Sequence, residues 1–297
     1  MLGLGLGLQK STKLGGFVGL LDLFPNAAAA YSLRKLRAAY SGSAVRVRKE
    51  VSLVSSETDI GFLGDGTLDT ASLLAFASDA DSGDVFVVTW YDQSLSNDAT
   101  QGIGANQPKI VSSGAVITEG TSAKPAVLFD GSSSYLDLSG SISNVFTGNS
   151  VYYSFEVAAV SALSKGGILC ANTAYRGFFN PPSYDYADFH NPNGLTVINS
   201  LNVDITNQFI FSSLFDANVN GGTYSLYGNS ALETTDTSEG TSNLDTPTSV
   251  HIGRDPSGGA SAYLDGKIQE VIFYKQDKGS ERADIETNIN TFYSIYP

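Results

Sequence analysis

The chain of 297 residues has one cysteine, Cys170, one tryptophan and two histidines. A single thiol forms no intrachain disulfide, and without a cysteine and histidine cluster a structural zinc site lacks its ligands. Basic charge is scarce as well: 17 Lys and Arg against 30 Asp and Glu give a formal net charge of −13. A surface of that sign repels a phosphate backbone, so nucleic acid is not an expected partner. No apolar run approaches the roughly 18 residues that a membrane span needs. The first residues, "MLGLGLGLQKSTKLGGFVGL", carry no basic residue ahead of an apolar part that glycines interrupt. They are therefore read as something other than a secretory signal, on a protein made in a cytoplasm. Dense Asp and Asn repeats are missing too, so calcium stays unassigned and no cofactor is expected.

What the chain has in quantity is Gly, Ser, Thr, Asn, Tyr and Phe, with charged residues at only 16%. That composition favours many short strands joined by polar turns, and the length fits one large β domain with extensions. Strand patterns recur in "DVFVVTWYD", "PKIVSSGAVITE", "PAVLFDG", "SYLDLSG", "VYYSFEVAAV", "GGILCAN", "FIFSSLFDA", "GTYSLYGNS", "SVHIGRD" and "KIQEVIFYK". Turn residues between them point to an all-β, antiparallel two-sheet sandwich with a few peripheral helices. "AVRVRKEVSLV" also alternates, with Val45 and Val47 on one face and Arg46 and Arg48 on the other.

Three helices are predicted outside the sandwich. In "DLFPNAAAAYSLRKLRAAYSG", Pro25 suits a helix start, Ala27 to Ala30 have the best propensity, and Leu33, Leu36, Ala39 and Tyr40 recur at helical spacing, which predicts a helix over 25–40. "LDTASLLAFAS" is a short second helix. "SERADIETNINTFYSIY" is the third, with Ile285, Ile289 and Phe292 on one side.

Residues 1–23 are read as an extended arm, and residues 24–297 as the sandwich. "LGLGLGL" alternates strictly, so a strand would place Leu2, Leu4, Leu6 and Leu8 on one face that it cannot bury alone. A neighbouring chain is the expected cover, and the basic block from Arg34 to Lys49 is expected to pair with the protein's own acidic surface or with another subunit.

"VVTWYDQSLSNDATQ" sets Trp90 and Tyr91 beside Asp92, Gln93, Asn97 and Asp98. Aromatic faces next to amides and carboxylates suit a sugar, whose C–H surfaces stack and whose hydroxyls hydrogen-bond. The same residues also suit a strand end, where a large ring closes the core and Asp and Asn shape a turn. Both uses stay open from the sequence. His190 and His251 are isolated and read as strand-end hydrogen-bonding groups.

Two blocks carry a resemblance. "TYSLYGNS" followed by "SVHIGRDPSGGASAYLDGKIQEVIFY" resembles the closing strands of laminin-G-like, concanavalin-A-like jelly rolls. "AYSLRKLRAAYSGSAVRVRK" with "WYDQS" and "NDATQ" is similar to the catalytic domain of fungal α-L-arabinofuranosidase B, itself such a sandwich. That resemblance implies a retaining mechanism with a nucleophile and an acid/base carboxyl. It places Asp255 of "HIGRD" at the acid/base position. The nucleophile of the family follows a vicinal cysteine pair, whereas "GGILCANTAYRGFFNPPSYD" has only Cys170 and no carboxylate before Asp185. The "YDQS" loop also departs from the family, with Leu95, Ser96 and Asn97 where a Gly-Asn-Gly-Asn insert is usual. Hydrolysis is accordingly not the expected activity.

The pairing of "AYSLRKLRAAYSGSAVRVR" with "IETNINTFYSIY" is also similar to domains of bacteriophage and marine bacterial proteins that carry the sandwich as a binding head on a virion appendage. The resulting expectation is a homo-oligomeric bacteriophage surface protein, attached through its arm to other virion proteins and binding host or environmental polysaccharide. A purely structural virion protein and an arabinofuranosidase-type hydrolase are the alternatives. Expected glycan contacts are Tyr175, Arg176, Arg254 and Asp255, with Trp90 and Tyr91 as further candidates.

Overall fold

The computed structural model describes residues 16–138, 151–161, 166–171, 176–179, 187–191, 194–197, 201–216, 218–219, 222–237, 248–256 and 262–297. Every strand pairing among them is antiparallel. One sheet runs β19 (Ala231–Asp236), β18 (Thr223–Gly228), β17 (Phe209–Asp216), β12 (Val151–Val160) and β21 (Asp265–Tyr274). The far edge of β21 is shared end to end by β1 (Ala27–Ser32) and β10 (Val127–Asp130). The second sheet runs β3 (Val54–Ile60), β2 (Val45–Val51), β4 (Val85–Trp90), β5 (Ala99–Thr100), β11 (Leu136–Asp137), β20 (Val250–Ile252) and β13 (Gly167–Ala171). It continues through β14 (Arg176–Phe179), β15 (Ala187–Asn191) and β16 (Gly194–Val197). At one corner β6 (Lys109–Ser112) pairs with both β4 and β10 and so joins the two sheets. β7 (Ala115–Val116) extends that corner, and β8 (Thr118–Glu119) with β9 (Lys124–Pro125) forms a small separate ribbon. This is the all-β sandwich read from the strand patterns.

Apolar residues of both sheets, among them Trp90, Phe129, Phe209, Phe211, Ile252 and Phe273, meet in the main core. The outer face of the first sheet is buried as well. There Tyr153, Phe155, Ile272 and Tyr274 pack under Leu20 and Leu21 of α1 (Leu20–Leu23) and under Ile285, Ile289 and Tyr293 of α3 (Arg282–Tyr293). The C-terminal helix forms as its periodicity predicts: Phe292 packs, partly buried, against the cluster that holds Ile285 and Ile289, and Tyr293 joins them fully buried. α2 (Thr70–Ala77) also forms, capped by Asp69, which accepts from Ser72 N at 3.0 Å. No helix among the described residues is long and apolar enough to cross a membrane.

The predicted helix over 25–40 is a strand instead. β1 occupies Ala27–Ser32 with every residue buried, and Asn26 enters it with φ 70, a left-handed conformation that no α-helix continues through. Ala28 and Tyr31 pack into the main core, while Ala27 and Ala30 pack under the helices. Alanine propensity is worth only tenths of a kcal/mol per residue, and pairing with β21 along one edge outweighs it. The arm also needs correction. Leu20 and Leu21 are 1% and 4% exposed within the helix-covered core, so they belong to the body. Leu2, Leu4, Leu6 and Leu8 lie outside the described residues.

The basic block is tied to the protein's own carboxylates: Arg34 to Glu270 at 2.7 Å, Arg46 to Asp59 at 2.8 Å, Arg48 to Glu50 and Lys49 to Asp79.

Glu156 is an exception to an otherwise apolar stretch of β12. Its cross-strand neighbours Phe211 and Val271 belong to the main core, so its carboxyl points between the sheets. Ser154 Oγ is its partner at 3.4 Å. Burial pushes its pKa up from 4.5 to about 7, with Ser154 pulling the other way. A raised pKa means that the folded chain holds the proton more tightly than the unfolded chain. The contribution is therefore complete below pH 4.5 and lost as pH rises through 7, a change of roughly 3 kcal/mol. His251 acts oppositely, because burial lowers it from 6.5 to about 4 and its contribution is lost as pH falls. A wild-type curve alone mixes the two. The difference between Glu156→Gln and wild type in urea denaturation isolates the carboxyl: near zero at pH 4.5, with the variant roughly 3 kcal/mol more stable by pH 8. A difference that does not change with pH would contradict this reading.

Candidate functional site

The "HIGRD" stretch ends β20 on the second sheet. Gly253 has φ 85, and a Cβ there would stand 2.2 Å from the Phe129 ring. In the following "DGKI", a Cβ on Gly266 would meet Ala159 O at 2.6 Å. Both glycines of the recognised block are thus required by packing, which explains why the block reports fold. Beyond Gly253 the chain turns outward, Arg254 bridging to Tyr263 and Asp255 N donating to Ala262 O at 2.9 Å.

Direct strand pairing sets side chains on a common face. Leu136 and Ile252 pair and enter the core, so the paired Asp137 and His251 face outward. The same outward row extends through Thr100, Thr89, Arg46 and Asp59 on one side and Cys170 on the other. Around His251 this face becomes aromatic. The Tyr135 ring lies 4.6 Å from the His251 ring and 6.3 Å from that of Tyr263. The Arg254 guanidinium sits 5.1 Å from the first tyrosine and 4.9 Å from the second. Both tyrosines are partly buried, neither being sealed in the core.

His251 is 7% exposed, with Nε2 at 3.1 Å from Ser249 Oγ and 3.8 Å from Asp137 Oδ1. Its Nδ1 and the Nε of Arg254 are buried without a hydrogen-bond partner among the described residues. Burial depresses His251 to about 4, with Asp137 opposing and Arg254 assisting, so the imidazole is neutral at pH 7. Asp255, 1% exposed, also acts on His251. No group of three or more His, Cys, Asp or Glu that could hold a metal ion occurs among the described residues. Clefts of about 480 and 400 Å³ lie elsewhere, on either side of Phe292.

Among the sequence candidates, Arg254 and Asp255 come together here, Asp255 in the buried part of the loop. Tyr175 lies outside the described residues, as does the side chain of Arg176, whose backbone opens β14 beside Cys170. Tyr91 faces outward but several strands away, donating to Asp59 Oδ1 at 2.8 Å. Trp90 points into the core at 0% exposure, tilted against Tyr31 at 6.3 Å, so it has no face to offer a ligand. Its neighbours take the structural role. Asp92, Gln93 and Asn97 are buried and bond the backbone of residues 28–36. Tyr135, Asp137 and Tyr263 were absent from the candidates. The period-two spacing of Tyr135 and Asp137 in "SYLDL" is the signal that puts them on one face.

No protein-family model matches the chain, and no curated protein matches it. Solved structures do. An arabinofuranosidase complexed with arabinofuranosyl-α-1,2-xylobiose is 13% identical with a TM-score of 0.58, over 90% of this chain and 63% of the other. A mutant α-L-arabinofuranosidase soaked with 4-nitrophenyl α-L-arabinofuranoside gives 13% identity and a TM-score of 0.56, over 92% and 64%. This chain therefore spans under two thirds of the length of either neighbour. A carbohydrate-binding domain of a Ruminococcus gnavus sialidase, bound to α2,3-sialyllactose, is 14% identical with a TM-score of 0.39, over 55% and 96%. The likeness to the two arabinofuranosidases is one of fold.

Proposed function

We propose that this chain is a non-catalytic glycan-binding sandwich on the surface of a bacteriophage particle, displayed in several copies and attached through its N-terminal segment. The observation that carries the binding reading is the partly buried pair Tyr135 and Tyr263 with the Arg254 guanidinium against both. Ring faces stack on sugar C–H groups, and guanidinium and carboxylate groups at their edge serve hydroxyls. A stacked ring contributes about 1 kcal/mol and an exposed hydrogen bond about as much, so one site alone binds in the millimolar range. Useful adhesion then requires several copies. The Leu/Gly alternation of residues 2–8 and the similarity of two sequence blocks to virion domains support the particle assignment.

Against hydrolysis stands the burial of Asp255 and the missing carboxylate in the stretch after Cys170. Asp137 is a second carboxylate close to His251. The test therefore includes an enzymatic arm. The protein, displayed multivalently, is screened on a panel of bacterial surface polysaccharides beside Tyr135→Ala and Tyr263→Ala. Wild type is expected to bind at least one glycan, and each variant to lose tenfold or more in avidity, with unchanged melting temperature. Equal binding by all three would remove this site, and no binding by wild type would favour a purely structural particle protein. Release of 4-nitrophenol from the aryl arabinofuranoside, abolished by Asp255→Asn or Asp137→Asn, would establish a hydrolase instead.

A further inference from the structure

We propose that Arg254, held against Tyr135 and Tyr263, receives the carboxylate of an acidic sugar, a uronic or sialic acid type of residue; this rests on the glycan-binding reading of the same site. Four other arginines already have carboxylate partners: Arg34 with Glu270, Arg46 with Asp59, Arg48 with Glu50 and Arg282 with Glu286. Arg254 has no ion pair or hydrogen bond among the described residues, in a chain with 30 acidic side chains to choose from. Arg37 also has a buried unpartnered Nε, but no described ring lies against it. In Arg254 the Nε is buried without a hydrogen-bond partner, while the residue as a whole keeps part of its surface exposed. Flanking rings fix the plane of the guanidinium. A planar guanidinium fork matches a carboxylate bidentately, and being held in place beforehand it loses little entropy on binding. Tyr135 and Tyr263 then take the sugar ring attached to that carboxylate.

The charges facing Arg254 set the limits of this site. His251 is neutral at pH 7, so Arg254 is the cation of the cluster among the described side chains. Asp137 and Asp255 oppose an anion, as does the net charge of −13. At physiological salt the field of the net charge fades over about 8 Å, whereas Asp137 and Asp255 lie closer than that and weaken the site for an anion, an opposition that the bidentate contact has to exceed. The same negative field disfavours an acidic glycan over the rest of the surface, which makes Arg254 the point where its charge is matched.

The experiment compares a galacturonate tetramer with its methyl ester, a neutral ligand of nearly the same shape, on the multivalent full-length protein. Wild type is expected to bind the acid at least tenfold more tightly than the ester. Arg254→Gln is expected to erase that preference, and Arg254→Lys, which keeps the charge but loses the fork, to retain part of it. Circular dichroism and melting temperature check that both variants are folded. Equal binding of acid and ester by wild type, or a preference that survives Arg254→Gln, overturns the acidic-sugar assignment and leaves glycan binding intact. Failure to bind either tetramer, with the polysaccharide panel positive, overturns it in the same way. Failure on the panel too removes the reading beneath it.

Discussion

Replacing Asp92 by alanine is expected to destabilise the protein by about 4 kcal/mol, among the largest effects of any single substitution. The side chain is 2% exposed. Its Oδ1 accepts from Ala30 N at 2.8 Å, Ser94 N at 2.8 Å and Ser94 Oγ at 2.7 Å. Its Oδ2 accepts from Leu95 N at 3.1 Å, Asn97 N at 3.1 Å and Asn97 Nδ2 at 3.3 Å. Alanine leaves these donors facing a small cavity, and each buried orphan costs about 1–3 kcal/mol, partly recovered by relaxation. Asp92→Asn keeps the volume but turns an amino group toward N–H donors, so about half the loss is expected. Urea denaturation followed by the fluorescence of Trp90, the lone and fully buried tryptophan, measures both. The double variant with Asn97→Ala should lose less than the sum of the singles, because the two side chains share one network. A loss under 1 kcal/mol for Asp92→Ala would show that the network is dispensable.

That network also explains what could be read from the sequence and what could not. Strands whose apolar residues alternate, or run unbroken, were legible: Val151–Val160 matches "VYYSFEVAAV" residue for residue. Helices α2 and α3 were legible from local periodicity. Segment 27–32 was misread because its strand character comes from partners distant in sequence. β21 bonds one edge. On the other side Asp92 receives Ala30 N, Asn97 Nδ2 donates to Ala28 O, and Gln93 Nε2 donates to Ser32 O and Arg34 O. With its backbone groups taken from both sides, an alanine run has no donors or acceptors left for a helix.

The site was legible in part for the same reason. "HIGRD" marked the loop by resemblance, and the packing of Gly253 on Phe129 shows why that motif follows the fold. The aromatic half was not legible, since Tyr135 meets His251 and Tyr263 only when β11 pairs with β20. In "WYDQS" the polar residues sit on buried backbone and the tryptophan in the core, so the structural use of that motif prevails over the sugar-binding one.

Glu270→Ala is expected to cost about 3–5 kcal/mol, while Arg34→Met combined with Glu270→Leu should come within about 1–2 kcal/mol of wild type. Glu270 is fully buried on the outer face of β21, beneath α3. Arg34 reaches it through Nε at 2.7 Å and Nη2 at 2.9 Å, a bidentate pair. Ser32 Oγ donates to Oε2 at 2.7 Å, and Tyr293 OH donates to it at 3.2 Å. The remaining Nη1 of Arg34 donates to Asn288 Oδ1 at 3.0 Å, and its guanidinium lies 4.9 Å from the Phe292 ring. One ion pair thus fastens the end of β1, the middle of β21 and the C-terminal helix. Removing the carboxylate alone strands a buried guanidinium, whose desolvation is then uncompensated. Removing both charges in favour of similar volumes abolishes that penalty, because the desolvation of an ion pair largely cancels its attraction. Urea midpoints of Arg34→Met, Glu270→Leu and the double, beside Glu270→Ala, separate these terms. A double variant several kcal/mol less stable than wild type would mean that the pair contributes net stability rather than specifying how the helix docks, and a loss equal to the sum of the singles would mean that the two side chains are not coupled.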